Sequence, residues 1–246
     1  MTELSAPEST VGSSRRRRRR GRGHGRRHRP RDLRSRSLLT AGLALILAGL
    51  VVLGWVAWQF WGTNWQSQQR HGDVADSLRD GWTTGEPVAR TDWGEATALL
   101  RVPHFGADFM VPVLEGATDE VLAAGVGHMG DTAPGERGNY VLAGHRVTHG
   151  EPFADLLGLE PGDIVQVETR DEILTYELDT PGDGLRLPFT AGWVLDPSPT
   201  NPDGGVEPPA AAGDHLLTLL TCSEIFHTDD RSIVFGHLVD RRDKTG

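Results

Sequence analysis

Leu216-Leu217-Thr218-Leu219-Leu220-Thr221-Cys222 is a short apolar and β-branched run that stops at a thiol, and it reads as a β-strand. A side chain at a strand end is held rigidly while it opens toward solvent or a cleft, which suits a covalent catalyst. The polar Thr221, Ser223 and Glu224 beside Cys222 argue against its full burial. Cys222 is the single cysteine in 246 residues, so no internal disulfide can form. A lone thiol is a buried small hydrophobe, an intermolecular bridge or a reactive group, and count alone leaves all three open.

Outward from this run, other short aliphatic or β-branched stretches are bounded by Gly, Pro and Asp. Strands are expected at 99–102, 109–113, 139–143, 164–168, 173–179, 192–195, 216–222 and 233–239. Eight short strands predict a mainly β fold, a barrel. Asp119 before Glu120-Val121-Leu122 reads as the N-cap of a short helix, and Phe153-Ala154-Asp155-Leu156 as a helical turn. The Pro- and Gly-rich residues 197–213 read as a long surface loop.

A thiol is largely protonated at neutral pH and needs a partner that supplies charge or takes up a proton. Of ten histidines, His24 and His28 lie near the N-terminus and His71 precedes the strand-rich region. His145, in Leu142-Ala143-Gly144-His145-Arg146, directly follows an expected strand, with a glycine that permits close backbone approach. His227 falls in a polar loop and His237 inside the last strand, where a satisfied or exposed histidine is the plainer reading. Arg231 opens the last strand, nine positions after Cys222. If the last two strands are neighbours, guanidinium and thiol share one end. Arg231 is always protonated, so its useful roles are to lower the thiol pKa and donate to a carbonyl or oxyanion. A surface ion pair with Asp229 or Asp230 is the alternative.

Charge is unevenly distributed. Residues 1–36 carry thirteen Arg against three acids, a local +10, which leaves −19 on the remainder of a chain whose net charge is −9. Such an acidic remainder repels phosphates, so nucleic acid is not an expected partner. Residues 38–58 run without a charge for about twenty positions, enough to cross ~30 Å of hydrocarbon. Trp55, Trp58, Trp61 and Trp65 cluster at the far end, as at a membrane interface. A cleaved signal peptide is disfavoured by the length of the run and by the absence of small residues at its end. The expected organisation is a disordered cytoplasmic Arg-rich tail (1–36), a transmembrane helix (37–61), an extracytoplasmic stalk with one helix near 66–78 (62–95), and a catalytic domain (96–246). The positive-inside rule orients this as a single-pass cell-membrane protein, N-terminus cytoplasmic and C-terminal domain extracellular.

Thr218-Leu219-Leu220-Thr221-Cys222 resembles the TLxTC signature of the sortases, and Leu142-Ala143-Gly144-His145-Arg146 resembles their catalytic-histidine motif; Arg231 fits the arginine that follows. The resemblance spans residues 60–240, and Trp61-Gly62-Thr63-Asn64 is similar to the class E, actinobacterial housekeeping branch. It implies an eight-stranded sortase β-barrel and a cysteine transpeptidase without cofactor or metal. Cys222 would attack the Thr–Gly bond of an LAxTG- or LPxTG-like C-terminal sorting signal on a secreted protein. His145 would protonate the leaving amine, Arg231 would hold the carbonyl, and an amine of a peptidoglycan precursor would resolve the thioacyl enzyme. Thr221, Ser223, Glu224 and His149 are the substrate-contact residues implied. Ser223-Glu224 stands where class E enzymes often carry His-Pro, and His149 where an aromatic is common. Asp92-Trp93 is similar to the lid of pilin-building class C sortases, whose acceptor is a Lys amine. A membrane-anchored peptide-binding module without catalysis is the alternative of a different kind. Metal ligation is disfavoured by the lack of dense ligand spacing.

Overall fold

The structure, a computed structural model, describes residues 32–58, 63–222 and 230–244. Helix α1 (Asp32–Ala57) is followed by α2 (Thr63–Thr84), then by strands β1 (Ala89–Thr91), β2 (Gly94–Arg101) and β3 (Val111–Glu115). A one-turn helix α3 (Asp119–Leu122) leads into β4 (Val126–Met129) and β5 (Gly138–Gly144). The chain closes with β6 (Ile164–Glu168), β7 (Glu172–Leu178), β8 (Arg186–Pro188), β9 (His215–Cys222) and β10 (Asp230–Asp243).

Within α1, residues Ser37–Val56 form a 20-residue apolar stretch of mean hydropathy 2.4, long and apolar enough to cross a membrane. Its apolar side chains, Leu38, Leu45 and Val51 among them, are exposed.

Eight strands close on themselves in the order β2-β3-β4-β5-β9-β10-β7-β6, with β6 pairing back onto β2; β1 and β8 extend this sheet. All pairs are antiparallel except β3–β4 and β5–β9. Period-2 alternation divides each strand between two environments. On β5, Tyr140 and Leu142 join the inner cluster, to which all eight barrel strands contribute, while Val141 and Ala143 join an outer one. On β9, Leu217 and Leu219 face in and Leu220 out; on β10, Val234 faces in and Ile233 and Phe235 out. The expected eight-stranded barrel is thus present.

Its membership differs from the expectation at one strand. Residues 192–195 form a 3-10 turn, Gly192–Leu195, because the buried Asn139 amide donates to Val194 O at 2.9 Å and Asp196 O at 3.2 Å. The eighth strand is β4, Val-Gly-His-Met, whose glycine content hides it from propensity. Close backbone approach demands those glycines: a Cβ on Gly125 would fall 2.3 Å from Pro112 O, and one on Gly127 2.3 Å from Gly116 O. Strand β3 starts two residues later than expected, and β10 runs to Asp243 through an irregularity between Leu238 and Asp240. The N-cap of α3 is Thr118, whose hydroxyl accepts from Val121 N, in place of Asp119.

The segment read as a stalk is largely folded onto the barrel. Val74, Ala75 and Leu78 of α2 pack with Ala96, Leu99, Leu114 and Val121 on the outer side of β2 and β3. At roughly 1.5–3 kcal/mol for each fully buried Val or Leu, Val74 and Leu78 supply what a polar helix of this length lacks by itself. The folded body therefore begins before Ala96, with α2 and β1. Asp92-Trp93 forms the turn between β1 and β2, and Trp93 packs against this same cluster with the Arg70 guanidinium 5.8 Å above its ring.

Candidate active site

Strand register assembles the site. Parallel pairing sets Gly144 of β5 level with Thr221 of β9, and antiparallel pairing sets Cys222 opposite Arg231 of β10. Because β9 lies between β5 and β10, the residue after Gly144, the last residue of β9 and the start of β10 come to one end of three adjacent strands. His145, Cys222 and Arg231 are those residues.

Local contacts fix this end. Thr221 Oγ1 donates to Gly144 O at 2.6 Å, tying the two strands where they finish. Thr221 is 1 % exposed, and this bond satisfies its buried hydroxyl. A Cβ on Gly144 would meet the Phe153 ring at 2.7 Å, and Phe153 N donates to His145 O at 3.0 Å. The close approach allowed by that glycine is the packing of Phe153 beneath the strand end. Ser223, Glu224 and His227 lie outside the described residues.

Over the outer face of β5, β9 and β10 opens a cleft of about 240 Å³. Ala143, Leu220 and Ile233 line it from the strands, Leu187, Pro188, Phe189, Ala191, Val194 and Leu195 from the segment after β7, and His145, Thr221 and Arg231 supply polar groups. Phe189 stands 62 % exposed at the rim. His149 is not among the lining residues; its ring stacks on His145, centroids 4.7 Å apart and planes 28° from parallel, with Nδ1 2.9 Å from Thr148 Oγ1. His237 is accounted for elsewhere, 3.0 Å from Asp179. Among the described residues no group of three or more His, Cys, Asp or Glu could hold a metal ion.

His71 of α2, in the segment read as a stalk, packs against Gly150 in the loop that follows His145. Burial lowers its pKa from 6.5 to about 4, with repulsion from His145 adding to this. His145 is likewise lowered to about 4, by burial first and by His149 second, against a weaker opposing pull from Asp119. His149 is lowered by burial and by Arg70, with Asp119 again opposing. All three imidazoles are therefore neutral at pH 7. Since each folded-state pKa lies below the unfolded value, the unfolded chain takes up protons first as pH falls. The contribution of His71 and His145 is complete above pH 6.5 and is lost as the pH drops toward 4, and His149 acts in the same direction. The thermal unfolding midpoint is expected to fall across this window, and less steeply in His71→Gln. A midpoint that stays flat down to pH 4.5 contradicts this.

Residues 100–239, more than half of the chain, match the sortase domain. The chain belongs to the sortase family. This sortase is 34% identical over 216 residues to sortase SrtE1 of Streptomyces coelicolor, an alignment covering 83% of this chain and 58% of the relative. To SrtE2 of the same organism it is 28% identical, covering 86% and 85%. The chain thus spans little more than half the length of the first of these relatives. Among solved structures, sortase E from Streptomyces avermitilis superposes with a TM-score of 0.52 at 35% identity, covering 62% of this chain and 93% of that one. For the SrtF sortase from Corynebacterium diphtheriae the values are 0.53, 33%, 62% and 89%. These likenesses agree with the class E resemblance in the sequence.

Proposed function

We propose that this sortase is a membrane-anchored cysteine transpeptidase that cuts an LAxTG- or LPxTG-like sorting signal between Thr and Gly and passes the protein to an amine of a peptidoglycan precursor. The observation that carries this reading is the meeting of His145, Cys222 and Arg231 at one end of β5, β9 and β10, beside an apolar cleft. The Cys222 sulfur forms a bond to the Thr carbonyl carbon, and the Arg231 guanidinium donates to the carbonyl oxygen as it becomes an oxyanion. His145, neutral before reaction, takes the thiol proton and gives it to the nitrogen of the breaking Thr–Gly bond. The Gly amine leaves, and a thioacyl enzyme remains. An incoming amine then attacks the same carbon, passes a proton to His145 and expels the thiolate, which recovers that proton.

α1 is the anchor in this reading. The Arg-rich segment before it keeps the N-terminus cytoplasmic and the barrel outside, where secreted substrates and wall precursors meet. Intact-mass measurement after incubation with LAxTG and LPxTG peptides in the absence of an amine tests the chemistry. The expected product is a thioester of the peptide, ending at Thr, mapped to Cys222. Turnover without such an adduct, or an adduct on another residue, would sink the reading.

A further inference from the structure

Helix α2 meets the site through one face. Asn64, Ser67, His71, Val74 and Leu78 recur at helical spacing; Val74 and Leu78 fill the cluster on β2 and β3, and Ser67 is buried. Asn64 and His71 reach the loop after His145. Gly150 N donates to Asn64 Oδ1 at 3.1 Å, and Asn64 Nδ2 donates to Glu151 Oε1. The His71 ring lies against Gly150, where an added Cβ would fall 2.5 Å from its Cε1.

The loop segment held in this way is strained. His149, Gly150 and Glu151 all have positive φ, at 56°, 82° and 52°. Non-glycine residues in that region persist only where surrounding contacts over-determine them. The first of the three, His149, stacks on His145, and beyond the segment Phe153 N donates to His145 O. A loop that relaxed from this conformation would carry away the ring against which His145 is placed.

We propose that Asn64 is a positioning residue for His145, acting through the His149–Glu151 turn that its amide clamps. This rests on His145 being the proton carrier of the transfer reaction. Asn64 is well suited because one planar amide accepts from a backbone N–H and donates to a carboxylate at once. The effect is expected in turnover and not in peptide affinity, since Asn64 is not among the residues lining the cleft.

The test uses the full chain and sorting-signal peptide turnover. Asn64→Ala is expected to lower kcat by roughly 10–10²-fold, the upper figure being the cost of a misplacement of about 1 Å, with KM for peptide little changed and faster amide exchange at Gly150. Asn64→Asp keeps the acceptor for Gly150 but sets two carboxylates against each other, and is expected to be as poor. Combining Asn64→Asp with Glu151→Gln keeps the bond from Gly150 N and rebuilds the side-chain bond with donor and acceptor exchanged, the Gln amide now donating to the Asp carboxylate, and is expected to recover most of the lost kcat. Wild-type kcat in Asn64→Ala overturns the proposal, as does a folded Asn64→Asp/Glu151→Gln protein no faster than Asn64→Asp alone. If Asn64→Ala folds poorly, the comparison between those last two decides. Retained turnover in His145→Ala would instead remove the reading on which the proposal rests; loss there with no loss in Asn64→Ala removes the proposal alone.

Discussion

Cys222→Ala is expected to lose peptide-to-amine transfer completely, by at least about 10⁴-fold, the scale on which removal of a covalent nucleophile acts, while the barrel remains folded. No other thiol exists in the chain to take over. The fold has little reason to respond, because β9 is held by backbone pairing to both β5 and β10 and by Leu217 and Leu219 inside the barrel. Cys222→Ser is expected to be nearly as inactive. Its hydroxyl needs a far stronger base than a thiol does, and the lowered pKa of His145 makes that imidazole a weak one. Transfer measured by product mass, alongside thermal unfolding, separates loss of chemistry from loss of structure. Unchanged transfer in Cys222→Ala would end the mechanism.

The second large effect is expected at His145. His145→Ala should lower turnover of an amide-linked sorting signal by roughly 10²–10⁴-fold, the range for a positioned proton carrier. The amine of a Thr–Gly bond is a poor leaving group until protonated. An ester in place of that amide leaves without prior protonation, so the loss in His145→Ala should be much smaller on an ester-linked analogue of the same peptide. Equal losses on amide and ester would mean that His145 serves the thiol or the fold and not the leaving group. Full activity on the amide would move the proton-carrying role to His149, which stacks on His145, or to His227.

The difference between what the chain announces and what it conceals has physical causes. Seven barrel strands are readable because aliphatic and β-branched residues alternate between two apolar environments, as in Leu217, Leu219 and Leu220 of β9. Strand β4 is hidden because it is only four residues long and close approach to Pro112 and Gly116 requires glycine just before it, at Gly125, and within it, at Gly127. The turn at Trp193 and Val194 mimics a strand because its composition is β-like, while its carbonyls are held by the buried amide of Asn139, 55 residues away from Val194. α2 resembles a stalk since its apolar contacts are few; that they meet a waiting cluster on β2 and β3 is visible only in three dimensions.

Cys222 and Arg231 were open to local reading. Nine positions separate them, and a pair of neighbouring antiparallel strands is the economical way to join such runs, so their facing register follows from short-range pattern. The apolar stretch of α1 and the arginines before it are likewise properties of composition. Tertiary structure decided what no local pattern encodes. The parallel pairing of β5 with β9 brings Gly144 level with Thr221 across 77 residues, and the docking of α2 brings Asn64 onto Gly150 across 86. Contacts at such separation are selected by which apolar faces can be buried together, a balance struck over the whole barrel and invisible to any window of sequence.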